Sequence, residues 1–467
     1  MLLFEKSGSI VIVVSSANMT TQKPADATWV QRFEPTDWNE FTDISVEEHR
    51  ERMDGSDFGY VLCDFLQKQS EAAKPLQILP IQFLRKYIGR FDTLDDLRRR
   101  YRFDRASIHL VSTVPGYYPG RFGSQHLNPT CDQTWRILYG PQRVADVLHR
   151  LSEKPPAPLS NDGLQRNIIP AKPKPWLPHN VLSKSDRLVV QTTSFGAKWT
   201  SRHVDELVRQ YMGCDDPNDN ANDDSVGEMI ERVDILWPSM KLLQGISEHH
   251  EKMSPNTGEG INHFVFLSSE GFNGSDLAVC SQMKMYETSD SAPIPLTLTP
   301  HIKTYARLLD GEKSKGSNHL AWVMLSSACF SRGAQGFTMK KNSGCEYKDE
   351  RGYSNFELGV LFVSRLQGDP TTDRLYSSYP EPSCACTTPK NDESQSAMRQ
   401  DDTKCADARI IALPFPYKLR STPYQPDPDE ADFCETPYFH QITRNSIASG
   451  MCLLTPCGKW AMKCMSK

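Results

Sequence analysis

His301 and Lys303 stand two positions apart in Pro300-His301-Ile302-Lys303-Thr304-Tyr305. On an extended segment that spacing puts both side chains on one face. An imidazole placed there can attack phosphorus or pass a proton, and an ammonium beside it can balance phosphoryl charge. The apolar run that follows, Leu320 to Leu325, ends in Ser326-Ser327-Ala328-Cys329. These are the parts of a phosphate-handling site, and that chemistry needs neither a metal nor a cofactor. An isolated H-x-K is common, however, and on its own reads as a surface strand.

An internal repeat separates the two readings. Ser9-Ile10-Val11-Ile12-Val13-Val14-Ser15-Ser16-Ala17-Asn18 is matched by Leu320-Ala321-Trp322-Val323-Met324-Leu325-Ser326-Ser327-Ala328-Cys329. Both segments are apolar strands that end in Ser-Ser-Ala, followed by Asn18 in one and Cys329 in the other. The match implies a pseudo-twofold molecule with one site between duplicated halves. The Asn18 amide can donate to a phosphate oxygen; asparagine also ends strands for purely local reasons. Glu357 heads a second apolar strand, and a carboxylate there is costly to bury without a partner.

The elements that must hold these groups alternate between two periods. Ile10 to Val14 is a β-branched run, expected to be a strand buried on both faces and half of a hairpin with the first residues. Further strands are expected at Ile108 to Ser112, Leu188 to Gln191, Val233 to Trp237, Phe264 to Leu267, His319 to Ser326 and Leu358 to Val363. Helical spacing joins Phe58, Val61, Leu62, Phe65 and Leu66, with Ser56 or Asp57 as cap. It recurs from Pro141 through Val144, Val147, Leu148 and Leu151, and over Ser201 to Met212 through Val204, Leu207, Val208 and Tyr211. A short helix opens near Thr93, and its run Arg98-Arg99-Arg100 reads as a solvated face. The alternation predicts an α/β fold. A proline-rich linker is expected over 153–185, and polar excursions over 214–225, 248–259 and 368–407.

At 467 residues the chain suggests two domains, taken as 1–122 and 123–467. A net charge of −5 excludes a global basic field, so any nucleic acid would be met by a local groove. Thirteen cysteines are scattered without zinc-site spacing, the closest pair being Cys384 and Cys386. The opening apolar stretch, broken by Glu5 and Lys6, is too short for a secretory leader or a membrane span.

The pattern resembles the tyrosyl-DNA phosphodiesterase family of the phospholipase D superfamily. There each half carries H-x-K, a strand and Ser-Ala-Asn. The stretch from His301 to Gly336, with Ser331-Arg332-Gly333-Ala334-Gln335-Gly336, is similar to the family's second motif, and Phe356 to Phe362 to the strand after it. Gln191-Thr192-Thr193-Ser194-Phe195-Gly196 is similar to its serine-rich DNA loop, and Leu413 to Tyr417 to a proline-rich segment near its C-terminus. The resemblance implies two similar phospholipase D-like α-β-α sandwich domains related by a pseudo-twofold axis. It implies a DNA-repair hydrolase that cleaves the 3′-phosphodiester between DNA and tyrosine through a phosphohistidine. His301 would be acid and then base, Lys303 and Asn18 would hold phosphoryl oxygens, and Glu357 would orient a histidine. Cys329, Ser331, Ser194, Phe195 and Gly196 would contact substrate. The implied partners are single- or double-stranded DNA 3′ ends bearing tyrosyl or peptide adducts, with no membrane. A monomer in the nucleus is implied too.

The chain departs from the family pattern at two points. Counted back from Asn18, the family's first H-x-K falls just ahead of Met1. The attacking histidine is therefore expected outside this sequence, through an internal start or a fragment, and residues 1–467 are expected to be inactive alone. Cys329 replaces the usual asparagine, and a thiol is a poorer donor than an amide. A catalytically inactive DNA-end-binding paralogue is the alternative. A lipid phosphodiesterase fits less well, because the H-x-K-x4-D pattern meets Leu308 in place of its aspartate.

Overall fold

The computed structural model describes residues 2–6, 8–16, 27–36, 57–73, 94–106, 108–119, 138–152, 186–192, 199–213, 229–237, 282–286, 302–309, 319–338, 350–363, 374–376, 410–412, 417 and 419. In chain order the first elements are β1 (Leu2–Lys6), β2 (Ser9–Ser15), β3 (Thr28–Phe33), α1 (Phe58–Ala73), α2 (Leu94–Arg100), β4 (His109–Thr113), β5 (Gly116–Pro119) and α3 (Gly140–Ser152). Next come β6 (Arg187–Gln191), α4 (Ser201–Met212), β7 (Val233–Trp237), β8 (Met283–Met285), β9 (Lys303–Leu309) and β10 (His319–Ser326). The last are α5 (Arg332–Gln335), β11 (Phe337–Thr338), β12 (Glu350–Tyr353), β13 (Glu357–Val363), β14 (Arg374–Tyr376) and β15 (Ile410–Ala412).

The described strands form three sheets, and the fold is α/β. A nine-stranded mixed sheet runs β15-β14-β10-β9-β6-β7-β8, with β13 on β10 and β4 on β13. Its hydrogen bonds join residues on both sides of position 122, through the antiparallel pair β4 and β13. Strands β1-β2-β3 form one small antiparallel sheet, and β11-β12-β5 another.

Each face of the large sheet carries a core. On one side Trp322 and Met324 of β10, Tyr305 of β9 and Leu188 and Val190 of β6 pack on Val204, Leu207, Val208 and Tyr211 of α4. Those helical residues recur at the predicted spacing, and each stabilises by about 1.5–3 kcal/mol when fully buried. The helix begins on Thr200, whose hydroxyl accepts from the His203 N–H, and ends on Gly213 at φ 75°. Only a residue without Cβ adopts that angle cheaply, so glycine stops the helix where its last carbonyls need donors. On the opposite face, Leu358 and Val360 of β13 and Leu110 of β4 pack on Phe58, Val61, Leu62 and Phe65 of α1 and on Ile10, Ile12 and Val14 of β2. The first repeat strand therefore lies across the sheet that contains the second.

Several expectations need correction. β2 alternates between buried Ile10, Ile12 and Val14 and half-buried Val11 and Val13. It lies between two antiparallel neighbours in a small sheet with one face on the core, where both β-branched faces need not be covered. Arg98 is not on a solvated face: it is 4% exposed, donates to the Tyr60 hydroxyl at 2.8 Å and stacks its guanidinium over that ring. Within the stretch expected to be an irregular excursion, Arg374–Tyr376 forms a strand against His319 and Leu320 of β10. Asp57 does more than start α1, since its carboxylate pairs with buried Arg143 of α3. The linker at 153–185, the strand at Phe264 to Leu267, the excursions at 214–225 and 248–259, and Cys384 and Cys386 lie outside the described residues.

Candidate active site

Lys303 opens β9 and pairs in register with Ser326, the last residue of β10. Ser326 in turn pairs with Gly359 of β13. A side chain at 359 would bring a Cβ to 3.1 Å from the Leu325 carbonyl and from the Ser326 hydroxyl, so glycine lets the two strands close here. Lys303 is 2% exposed, and its ammonium donates to the Ser16 carbonyl at 3.4 Å. That contact carries the H-x-K strand of the second half to the Ser-Ser-Ala end of the first.

The two ends of the repeat are built alike. Ser16 donates its N–H to the Ala27 carbonyl at 3.0 Å, and its hydroxyl accepts from the Ala27 N–H at 3.1 Å. Ser327 donates its N–H to the Leu358 carbonyl at 3.1 Å, and its hydroxyl accepts from the Leu358 N–H at 3.1 Å. The same serine of each copy thus closes the same two-bond clasp on the strand that follows. β2 is antiparallel to β1 and β3 as β10 is antiparallel to β9 and β13.

The clasps differ in where the hydroxyl proton points. The Ser327 proton goes to Glu357 at 2.6 Å, whereas the Ser16 hydroxyl faces the Ala27 carbonyl at 3.4 Å. The other Glu357 oxygen accepts from the Asn355 amide at 3.3 Å. Burial raises the Glu357 carboxyl above its ordinary value, while Ser327, Asn355 and the Lys303 charge pull the other way. The Lys303 ammonium is therefore near enough for its charge to act on the Glu357 carboxyl.

A buried network fixes the loop that carries Cys329 and Ser331. The Gln335 amide donates to the Tyr305 hydroxyl at 2.7 Å and to the Cys329 carbonyl at 2.9 Å. Its oxygen accepts from Tyr211 of α4 in a short contact. Tyr305 passes its own proton to the Ala328 carbonyl at 2.8 Å. The Phe330 N–H donates to Thr192 at 2.9 Å, and its ring stacks on Trp199 at 5.1 Å. Ser331 begins α5, its carbonyl accepting from Ala334 and Gln335.

Four of the expected site residues are therefore placed: Lys303, Glu357, Cys329 and Ser331, the last two half-buried. His301, Asn18, Ser194, Phe195 and Gly196 lie outside the described residues. Sequence reasoning did not single out Ser327, Thr192, Tyr305 or Gln335. Ser327 was open to it, because its doublet recurs as Ser15-Ser16; Gln335 was not, because its partners come from β9, α4 and the turn after β10. Among the described residues no group of histidine, cysteine and acidic side chains is placed to hold a metal, and no helix is long and apolar enough to cross a membrane.

A family model described as tyrosyl-DNA phosphodiesterase matches residues 1–425. The chain belongs to the tyrosyl-DNA phosphodiesterase family. That family is one of phosphodiesterase hydrolases. Tyrosyl-DNA phosphodiesterase 1 of Arabidopsis thaliana is 30% identical over 132 residues, which is 27% of this chain and 20% of that protein. The matched stretch thus spans about a fifth of the curated relative. The crystal structure of the yeast tyrosyl-DNA phosphodiesterase is 14% identical, covering 90% of this chain and 73% of that one at a TM-score of 0.44. A mutant of the same yeast enzyme gives 0.43, with the same identity and coverage. Likeness of that degree decides nothing by itself; the family match does.

Proposed function

We propose that this protein handles the 3′ end of DNA blocked by a tyrosyl or peptide adduct, as a hydrolase of the 3′-phosphodiester acting in repair in the nucleus. The observation that carries the reading is the Lys303 ammonium at the Ser16 carbonyl, where the two copies of the repeat meet. In the first step an imidazole attacks the 3′-phosphorus, the phosphorus–oxygen bond to tyrosine breaks, and His301 protonates the departing phenolate oxygen. In the second step His301 takes a proton from water, the water oxygen attacks the phosphohistidine, and a 3′-phosphate leaves with the imidazole restored. Lys303 balances the phosphoryl charge in both steps, and Asn18 donates to a phosphoryl oxygen. Glu357, held by Ser327, orients a histidine ring. Ser194, Phe195 and Gly196 track the DNA strand, and Cys329 and Ser331 line the phosphate side of the pocket.

A second reading, binding of the DNA end without turnover, is favoured by one observation: Cys329 stands where the first copy of the repeat has Asn18, and a thiol is a poorer donor to a phosphoryl oxygen than an amide. The two readings part in one experiment with a 3′-phosphotyrosyl oligonucleotide in chelator. Residues 1–467 are expected to bind it without releasing tyrosine. A protein that also carries the family's first H-x-K ahead of residue 1 is expected to release tyrosine, and its His301→Asn variant to accumulate a covalent protein–DNA adduct. Release by residues 1–467 alone would sink the assignment of the attacking group. Failure of the extended protein to turn over would leave the binding reading.

A further inference from the structure

The small sheet beside the site carries a feature that phosphodiester chemistry does not use. Phe337 of β11 pairs with Gly352 of β12, and Gly352 pairs with Tyr117 of β5, so the three stand in one row across the sheet. Directly paired residues share a face. The residues flanking that row point inward: Tyr353 is buried, Tyr118 packs against the same core, and Arg351 is buried on Glu206. The row itself therefore lies on the outer face, where alternation ordinarily puts polar groups. Tyr117 is 61% exposed.

Gly352 is what lets the two rings approach each other. A Cβ there would sit 2.8 Å from Phe337 Cζ and 3.0 Å from Tyr117 Cε1. The Arg332 guanidinium lies 5.5 Å from the centre of the Phe337 ring. Exposed Tyr117 and half-buried Phe337 and Arg332 thus adjoin beside buried Gly352.

We propose that Tyr117, Phe337 and Arg332 form a stacking platform for a nucleobase of the strand whose 3′ end enters the site. The proposal rests on the DNA-end reading above. Every base has a π-face, so such a surface holds a strand without reading its sequence, and a guanidinium adds both stacking and phosphate attraction. The platform is continuous with the site at two places. Arg332 directly follows Ser331, and the Gly333 carbonyl accepts from the Ser354 N–H at 2.8 Å, one residue ahead of the Asn355 that bonds Glu357. From Gly352 to Glu357 the chain reaches at most about 18 Å. That is about five nucleotides at the rise of a DNA strand. The bases concerned are those just upstream of the blocked end.

The test is binding of the full chain to short single-stranded oligonucleotides ending in 3′-phosphate, read by fluorescence anisotropy, with an abasic site moved along the last six positions. For the wild-type chain one or two positions are expected to lose about tenfold when the base is removed. Tyr117→Ala is expected to lose about as much on the intact strand and to become indifferent to the abasic site, while Tyr117→Phe binds as wild type. Val30→Ala, an exposed apolar residue on β3, serves as the control and changes nothing. If Tyr117→Ala binds within twofold of wild type, or keeps the full abasic penalty, the platform is wrong while the DNA-end reading stands. If it instead turns a dimer into a monomer with DNA binding intact, the face belongs to a second copy and the proposal falls. If wild type binds no oligonucleotide, both readings fail.

Discussion

The two copies of the repeat end in the same clasp, yet they are equipped differently. At Ser16 the clasp closes on the Ala27 carbonyl and N–H, and the Lys303 ammonium reaches the Ser16 carbonyl. Around Ser327 the same clasp also engages Glu357, and Gln335 holds the turn beyond it to Tyr305 and Tyr211. The geometry of the strand end is thus a property of the Ser-Ser-Ala doublet, and in the second copy a carboxyl joins the clasp and a glutamine holds the turn. The residue ahead of Ala27 in the sequence, Asp26, is again a carboxylate, but it lies outside the described residues. Duplication supplies the frame, and later substitutions decide which half carries which chemical duty.

The contrast can be broken by mutation, and the largest effect is expected at Gln335. Gln335→Met preserves volume and removes one acceptor and both donors: the Tyr211 hydroxyl loses its acceptor, and the Tyr305 hydroxyl and the Cys329 carbonyl each lose a donor, the Ser331 N–H still reaching that carbonyl. A loss of about 3 kcal/mol in urea unfolding is expected from groups of this kind. The alkylation rate of Cys329, followed by peptide mapping, should rise several-fold while that of Cys63 on α1 stays constant. An unchanged Cys329 rate would mean that the turn holds itself.

Next in size is the pair of serines. Ser327→Ala removes the donor to Glu357 and the acceptor for the Leu358 N–H, at about 2 kcal/mol. Ser16→Ala removes the acceptor for the Ala27 N–H, the contact that Ser327 matches at Leu358, and should cost about 1 kcal/mol. Equal losses would show that Glu357 adds nothing to the second clasp.

The smallest effect carries a sign. Burial raises the Glu357 carboxyl, so the native state favours its protonated form relative to the unfolded chain. Its contribution to stability is full below the ordinary carboxylate value and is lost as pH rises through the raised one. Glu357→Gln cannot ionise and should melt like wild type near pH 4 but slightly above it at pH 7. A variant that melts below wild type at pH 7 would show that the Lys303 and Ser327 contacts outweigh burial.

Much of this frame was legible in the chain. The helix at Ser201–Met212 and the strand at His319–Ser326 have the predicted bounds, because the helix buries one face at helical spacing and the strand is an uninterrupted apolar run buried on both faces. β5 and β11 were not legible: they are short, and their row of Tyr117, Gly352 and Phe337 exists only once three distant segments pair. Arg98 read as solvated because charge patterning knows nothing of Tyr60, which reaches it from another helix. Within the site, Lys303 and Glu357 were visible as anomalies on apolar strands. Ser327 and Gln335 look ordinary in sequence and gain their roles from partners that only folding supplies.

The central claim is that the meeting point of the two repeat copies recognises a terminal phosphate through Lys303. It is tested most directly by comparing oligonucleotides that end in 3′-phosphate and 3′-hydroxyl on the wild-type chain and on Lys303→Met. The wild type is expected to prefer the phosphate by about tenfold, the worth of one charge-assisted contact. Lys303→Met is expected to bind both ends alike and as weakly as wild type binds the hydroxyl. A phosphate preference that survives in Lys303→Met, or none in the wild type, would contradict the account.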